Sequence, residues 1–211
     1  MKIIATNLGS TTTFDLNGKT HRTGIFKFPV SDPLYLGKEG VAGDTVANLK
    51  VHGGVDKACY LFAADQYPYW KARYPELSWE WGMFGENLTI EGLNEATLRI
   101  GNTYRIGNAV IEISQPREPC FKLGYRFKDQ GIIQDFIAHG FSGSYARVLQ
   151  EGTVVVGDHF ELLNESENSL TVKQFYDFIF TKEKDKETLA LALSNTALPA
   201  YKRARLQQLI S

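Results

Sequence analysis

Cysteine is scarce in this chain, with Cys59 and Cys120 the only two. That number excludes a disulfide scaffold and falls short of an iron–sulfur ligand set. No apolar run approaches the ~20 residues of a membrane-spanning helix. The opening Met-Lys-Ile-Ile-Ala-Thr-Asn-Leu is too short in its apolar run for a signal peptide. A reducing cytoplasm is the expected compartment, with no membrane partner. Neither sign of charge dominates: 23 Lys and Arg face 24 Asp and Glu, for a net charge of −1. A sequence-wide nucleic-acid footprint is therefore not expected, which leaves room only for a local basic pocket. The histidines His21, His52, His139 and His159 are scattered, and the spacing from His52 to Cys59 matches no usual zinc pattern. No Gly-x-Ser-x-Gly elbow surrounds a serine. Gly9-Ser10, Gly37 and Gly40 do not form a dinucleotide-binding fingerprint.

What is present suits a buried core: 43% of the 211 residues are hydrophobic and 22% charged. The length suggests one large domain, or one domain with a small appendage. Lys2 to Leu8 predicts a first strand. Thr11 to Leu16 and Lys19 to Phe28 flank Asn17-Gly18, a pair suited to a type I′ hairpin turn, with Pro29 expected to end the second arm. Val46 to Val51 leads into His52-Gly53-Gly54. Cys59 to Ala63 reads as a buried strand, after which Asp65 is expected to cap a helix reaching Arg73. The aromatic stretch from Pro75 to Met83 is expected as a loop on the core. Leu98–Ile100, Tyr104–Ile106 and Val110–Ser114, punctuated by Gly-Asn pairs, predict an antiparallel barrel or sandwich rather than βαβ units. Asp129 is expected to cap a helix to His139, stopped by Gly140. Ser144–Leu149, Val154–Val156 and His159–Leu163 would close the strands. Composition changes at Asn164. Beyond it Thr171 and Gln174 form a capping-box signature, and three short helices follow, expected to dock on the barrel or on a partner.

Chemistry concentrates between Val110 and Leu123. A β-rich run stops at Gln115-Pro116, because proline lacks the N–H that a strand ladder needs. Pro119 stiffens the backbone just before Cys120, and Arg117 and Lys122 flank the thiol. Positive charge beside a cysteine favours the thiolate, the form that attacks electrophiles or binds metals. The plainer alternative is a cysteine that only fills space, as free cysteines commonly do. Gly53-Gly54 after His52, with Lys57 close by, could turn its amides towards an anion, although most Gly-Gly pairs are simply turns. Trp70, Trp79 and Trp81 read as core or rim packing rather than as a stacking platform.

Five segments occur in a telling order: Thr23-Gly-Ile-Phe-Lys27-Phe-Pro-Val, Ala42-Gly-Asp44, Val51-His-Gly-Gly-Val-Asp-Lys57, Phe84-Gly-Glu-Asn-Leu-Thr89 and Gln115-Pro-Arg-Glu-Pro-Cys-Phe-Lys122. Together they resemble the MOSC domain, the C-terminal domain type of molybdenum cofactor sulfurase, and within it the YiiM-like branch. The resemblance implies a mainly β (α+β) fold, with a MOSC β-barrel over residues 1–164 and a small three-helix domain over 165–211. It also implies binding of the molybdenum cofactor, a metal held by a pterin dithiolene, with Cys120 as metal ligand and catalytic thiolate. A soft thiolate suits a sulfur-rich metal centre.

Lys27, Lys57, Arg117 and Arg147 are the cations expected near the pterin phosphate, His52 and Asn87 the expected hydrogen-bonding side chains, and Gly53 and Gly54 the expected backbone donors. The implied activity is reduction of N-hydroxylated small molecules, such as N-hydroxylated purine bases, to amines. Electrons would come from a separate flavin or iron–sulfur protein, because this chain carries neither set of motifs. A homodimer is left open. A carrier of cofactor or sulfur without turnover, also using Cys120, is the rival reading.

Overall fold

Saturated apolar strands set the centre of the molecule. The structure, a computed structural model, describes residues 1–45 and 53–209; Val46 to Val51 and His52, named above, lie outside them. In chain order the elements are β1 (Lys2–Gly9), β2 (Thr12–Leu16), β3 (Lys19–Thr23), β4 (Lys27–Val30), β5 (Leu34–Gly37) and β6 (Gly40–Val41). Then come β7 (Cys59–Ala63), α1 (Tyr67–Arg73), β8 (Leu88–Glu91), β9 (Thr103–Ile106), β10 (Ala109–Pro116), α2 (Phe121–Phe127) and α3 (Ile132–His139). The chain ends with β11 (Ser144–Gln150), β12 (Gly152–Val154), β13 (Glu161–Asn164), α4 (Val172–Phe180), α5 (Lys186–Ser194) and α6 (Ala200–Gln207).

Eight strands form one sheet in the order β13-β9-β10-β11-β7-β8-β1-β4. The sheet curls until its two ends approach. Ile3 N donates to Asp158 O and Phe160 N to Met1 O, so the start of β1 is stitched to the segment leading into β13. The fold is thus mixed α+β around a curled half-barrel. β12, β5 and β6 make a small three-stranded sheet, and β2 and β3 a separate hairpin.

The hairpin turns at Asn17 (φ 52°) and Gly18 (φ 72°), the left-handed pair that a type I′ turn requires. Its second arm stops at Thr23, short of the expected Phe28. Lys27–Val30 instead becomes β4, which pairs with β1 at the edge of the sheet, Pro29 opposite Asn7. A proline is tolerated there because an edge strand has one side without partners. A second difference is β7–β8, which are parallel, with Leu61 opposite Leu88. The chain between them is long enough to carry α1 across, so one βαβ unit sits inside an otherwise antiparallel sheet. Leu98–Ile100 forms no strand, only a bridge from Arg99 to Thr171. Asp65 does not cap α1; its carboxylate accepts from Gly92 N at 2.8 Å.

Two apolar clusters fill the molecule. One lies within the curl, around Ile3, Leu61, Leu88, Ile111 and Ile113. The other lies under α1, α2 and α3, around Trp70, Phe62, Phe84, Phe127 and Phe136, with Trp79 and Trp81 packed partly buried against it. The capping box forms as read, Gln174 N donating to Thr171 Oγ1 at 3.1 Å and Gln174 Oε1 accepting from Thr171 N at 3.0 Å. Helices α4 to α6 contribute Val172, Phe175, Leu189 and Leu206 to the same cluster as the sheet. Among the described residues, no helix is long and apolar enough to cross a membrane.

Candidate functional site

Strand β10 ends at Pro116, and four residues later the backbone extends at Cys120 (φ −137°) before entering α2. The proline turn therefore does not lead into a loop. It feeds a short helix whose first carbonyl, that of Cys120, accepts from Leu123 N at 2.8 Å. The hairpin covers this helix: Phe14 stacks on Tyr125 with centroids 3.8 Å apart, and His21 meets Phe121 edge-on at 5.0 Å. These contacts pack the hairpin against the helix that follows Cys120.

Cys120 lines a cleft of about 670 Å³, counting its solvent-filled mouth. One wall is Thr23 to Lys27, leading from the hairpin into β4. A second is the turn around Phe84, Gly85 and Asn87, and a third runs from Arg117 to Lys122. Tyr60 from β7 and Tyr145 from β11 form the back, their rings 5.2 Å apart. The second wall depends on glycine. Gly82 has φ 85°, and a Cβ there would come within 2.7 Å of the Lys27 carbonyl oxygen, so only glycine lets this turn press against β4. Glu86 ties the same turn from beneath. Its buried carboxylate accepts from Tyr67 Oη at 2.5 Å, Gly82 N at 2.9 Å, Phe84 N at 3.1 Å and Thr89 Oγ1 at 2.9 Å. Burial pushes the Glu86 carboxyl upward, and those hydrogen bonds oppose the shift.

The expected cations separate into three situations. Lys27 is 5% exposed and pairs with Asp44. Burial lowers its pKa, and Asp44 works against that. Asp44 is itself held by Gly9 N at 3.0 Å and Asn87 Nδ2 at 2.9 Å, and Asn87 Oδ1 accepts from Tyr60 N at 3.2 Å. Lys27, Asp44 and Asn87 are therefore a connected network lining the cleft, with both ends of the Asn87 amide engaged. Arg147 stands elsewhere, bonded to Asp56 and Glu112 at 2.5 Å each and absent from the lining.

Arg117 differs from both. It is 5% exposed, its guanidinium lies 5.3 Å from the Phe136 ring and 5.7 Å from the Tyr60 ring, and its Nη1 is buried without a hydrogen-bond partner. Lys57 also lines the cleft, reached through a turn in which Lys57 N donates to Gly54 O at 2.8 Å. Gly53 and Gly54 themselves are not part of the lining.

Sequence reading had no signal for the roles of Tyr60 and Tyr145, which line the cleft from β7 and β11, or for that of Glu118, two residues before Cys120. Asp44 was visible as a motif residue, but its pairing with Lys27 depends on how the chain folds back. Lys122, noted beside the thiol, does reach the cleft. Cys59 is fully buried, with burial pushing its thiol up to about 12, so it is a packing residue.

The chain is thus a curled α+β half-barrel in which the Cys120 thiol lines a cleft together with the cationic side chains Lys27, Lys57, Arg117 and Lys122. The family model described as the MOSC domain matches residues 48–161, and the chain belongs to that family. The Bacillus subtilis protein YflK is 36% identical over 202 residues, covering 96% of this chain and 91% of that protein. A Gibberella moniliformis protein named a reductase is 35% identical over 144 residues, 67% of this chain but only 26% of that longer protein. The crystal structure of YiiM from Geobacillus stearothermophilus superposes with a TM-score of 0.83 at 28% identity, covering 100% of this chain and 99% of that one. Thr23, Lys27 and Asp44 precede the matched span, so part of the cleft comes from outside the family model.

The cofactor that the family implies fits this donor set. Among the described residues no group of three or more His, Cys, Asp or Glu could hold a bare metal ion. A metal that arrives with sulfur ligands of its own needs less, and one thiolate from Cys120 would complete such a set. Arg117, whose buried Nη1 has no hydrogen-bond partner, lines the same cleft and would lend its positive charge to an anionic group bound there.

Proposed function

We propose that this cleft binds the molybdenum cofactor and that the protein reduces N-hydroxylated compounds to amines. The observation that carries the reading is the buried Arg117 guanidinium, unpartnered at Nη1, lining the same cleft as the Cys120 thiol. A buried donor without an acceptor costs roughly 1–3 kcal/mol, and an anionic ligand would recover that cost. The relative named a reductase supports turnover over a carrier role.

The cofactor, when bound, supplies the two-electron chemistry. The net reaction takes the N-hydroxylated compound, two electrons and two protons to the amine and water. Cys120 presents its sulfur from a backbone stiffened by Pro119 and locked by α2. Arg117, Lys57 and Lys122 hold the anionic part of the cofactor. Tyr60 and Tyr145 form an aromatic back wall against which a flat substrate would orient. Lys27, Asp44 and Asn87 act on each other and keep the wall rigid. Electrons come from a separate flavin or iron–sulfur protein, since two cysteines cannot ligate a cluster.

The test is Cys120→Ser, which keeps the volume and substitutes a harder, far less ionised ligand. The variant should fold normally, lose hydroxylamine reduction with a chemical reductant, and show depleted molybdenum or a changed absorption spectrum. Cys59→Ser is the matched control and should change stability only. Full metal content and wild-type turnover in Cys120→Ser would refute the assignment.

A further inference from the structure

Behind the cleft, one turn supports two of its lining residues. Ser142 and Gly143 lie between α3 and β11. A Cβ at Gly143 would run into the Leu61 carbonyl oxygen, so the turn is pressed onto β7 beside Tyr60. Ser142 O accepts from Tyr60 Oη at 2.7 Å. Gly143 O accepts from Arg117 N at 3.3 Å and from Ser142 Oγ at 3.0 Å. The turn thus anchors the hydroxyl of one lining residue and the backbone of another. The same two residues meet again at the cleft, where the Arg117 guanidinium lies 5.7 Å from the Tyr60 ring. With Nη1 free of hydrogen bonds, the guanidinium takes its place from its backbone and from the rings beside it.

Glu95 fastens this turn from the far side. It follows β8, is completely buried, and is not part of the lining. Its Oε1 accepts from Gly143 N at 2.8 Å, while Oε2 has no partner. Its carbonyl oxygen accepts from Lys173 N in α4 at 3.0 Å. From the same helix, Tyr176 Oη donates to Phe136 O at 3.3 Å, and Phe136 carries the second ring beside Arg117. A carboxyl buried with one oxygen unpaired costs stability, so stability alone does not account for its presence.

We infer that Glu95 is a positioning residue for the cleft: through the Ser142–Gly143 turn it sets where the Arg117 guanidinium and the Tyr60 ring stand against a bound ligand. The inference rests on the proposed reading of the cleft as the site of an anionic group. Without Glu95 the Gly143 amide is released, and the Arg117 backbone and the Tyr60 hydroxyl lose a fixed anchor. The charge of the cleft is then unchanged, but its place is not.

Isothermal titration of the full-length, cofactor-free chain with inorganic phosphate at low salt tests this. Glu95→Ala removes the acceptor and should weaken phosphate binding about tenfold, the scale of loss that a displaced binding group causes. Glu95→Gln offers Gly143 N the same acceptor and should restore binding close to that of wild type. Leu189→Ala opens a cavity in the main apolar cluster without touching the turn. It should lower stability yet bind phosphate like wild type, as Glu95→Ala would if Glu95 were merely structural. The inference is overturned if Glu95→Ala binds like wild type, if Glu95→Gln binds as weakly as Glu95→Ala, or if Leu189→Ala weakens binding as much. Should Glu95→Ala fail to fold, Glu95→Asp replaces it, since it draws the acceptor back by one methylene. Weakened phosphate binding in that variant supports the inference, and wild-type binding overturns it. A wild-type chain that shows no phosphate binding would refute the anion-site reading itself, and this inference with it.

Discussion

Glu95 provides a quantitative test of the packing behind the cleft. Its carboxylate accepts from Gly143 N at 2.8 Å through Oε1, while Oε2 is buried without a partner. The turn it holds matters to the site, because Gly143 O accepts from Arg117 N at 3.3 Å and Ser142 O from Tyr60 Oη at 2.7 Å. Burial raises the Glu95 pKa from 4.5 to about 7, against the opposing pull of the Gly143 hydrogen bond and the Lys173 charge. A carboxyl raised on folding stays protonated in the native state after the unfolded chain has released its proton. Stability from this group is therefore full below 4.5 and falls as pH rises through about 7. The gap between the two values corresponds to about 3 kcal/mol. Glu95→Gln keeps an acceptor for Gly143 N and cannot titrate.

The variant should match wild type near pH 4.5 and exceed its stability by up to about 3 kcal/mol at pH 8, roughly 1 M in urea midpoint. Urea unfolding of both proteins, followed by far-ultraviolet dichroism at several pH values, measures the difference. Glu86, whose pKa is also raised by burial, is present in both and cancels. A wild-type-to-variant difference that stays constant from pH 5 to 8 would refute the buried, proton-holding state of Glu95.

Two further outcomes are expected. Removing residues 170–211 takes Leu170, Val172, Phe175, Leu189 and Leu206 out of a cluster shared with Ile111 and Ile113. At about 1.5–3 kcal/mol for each buried side chain, the loss rivals the whole stability of a typical domain. The truncated chain should lose near-ultraviolet dichroism and its cooperative transition; a sharp two-state unfolding curve would contradict the shared core. Arg117→Ala should lower cofactor retention by about one to two decades, from a charge-assisted contact of roughly 1.5–3 kcal/mol, with a much smaller change in Tm. Unchanged molybdopterin content after gel filtration would remove Arg117 from the binding site.

Features set by neighbouring residues were legible in the sequence. Asn17-Gly18 dictates a left-handed turn, Gly140 ends α3 at φ 77°, and Thr171 with Gln174 caps α4. Cys59 to Ala63 announces a strand buried on both faces, and the prolines around Arg117 announce that β10 must stop. The five ordered segments also carried the family resemblance, because their residue types survive without reference to spacing in three dimensions. What depended on closing the sheet was not legible. The parallel pairing of β7 with β8 reflects a crossover through α1 that strand periodicity cannot encode. Lys27, Arg117 and Arg147 look alike as letters, yet one meets Asp44, one is left unpartnered at Nη1, and one is neutralised by Asp56 and Glu112. The pairing of Lys202 with Glu118 joins residues 84 positions apart. Local conformation follows from the chain's own sterics and hydrogen bonds, whereas the state of each charge follows from which distant side chains the curled sheet and its last helix bring within reach.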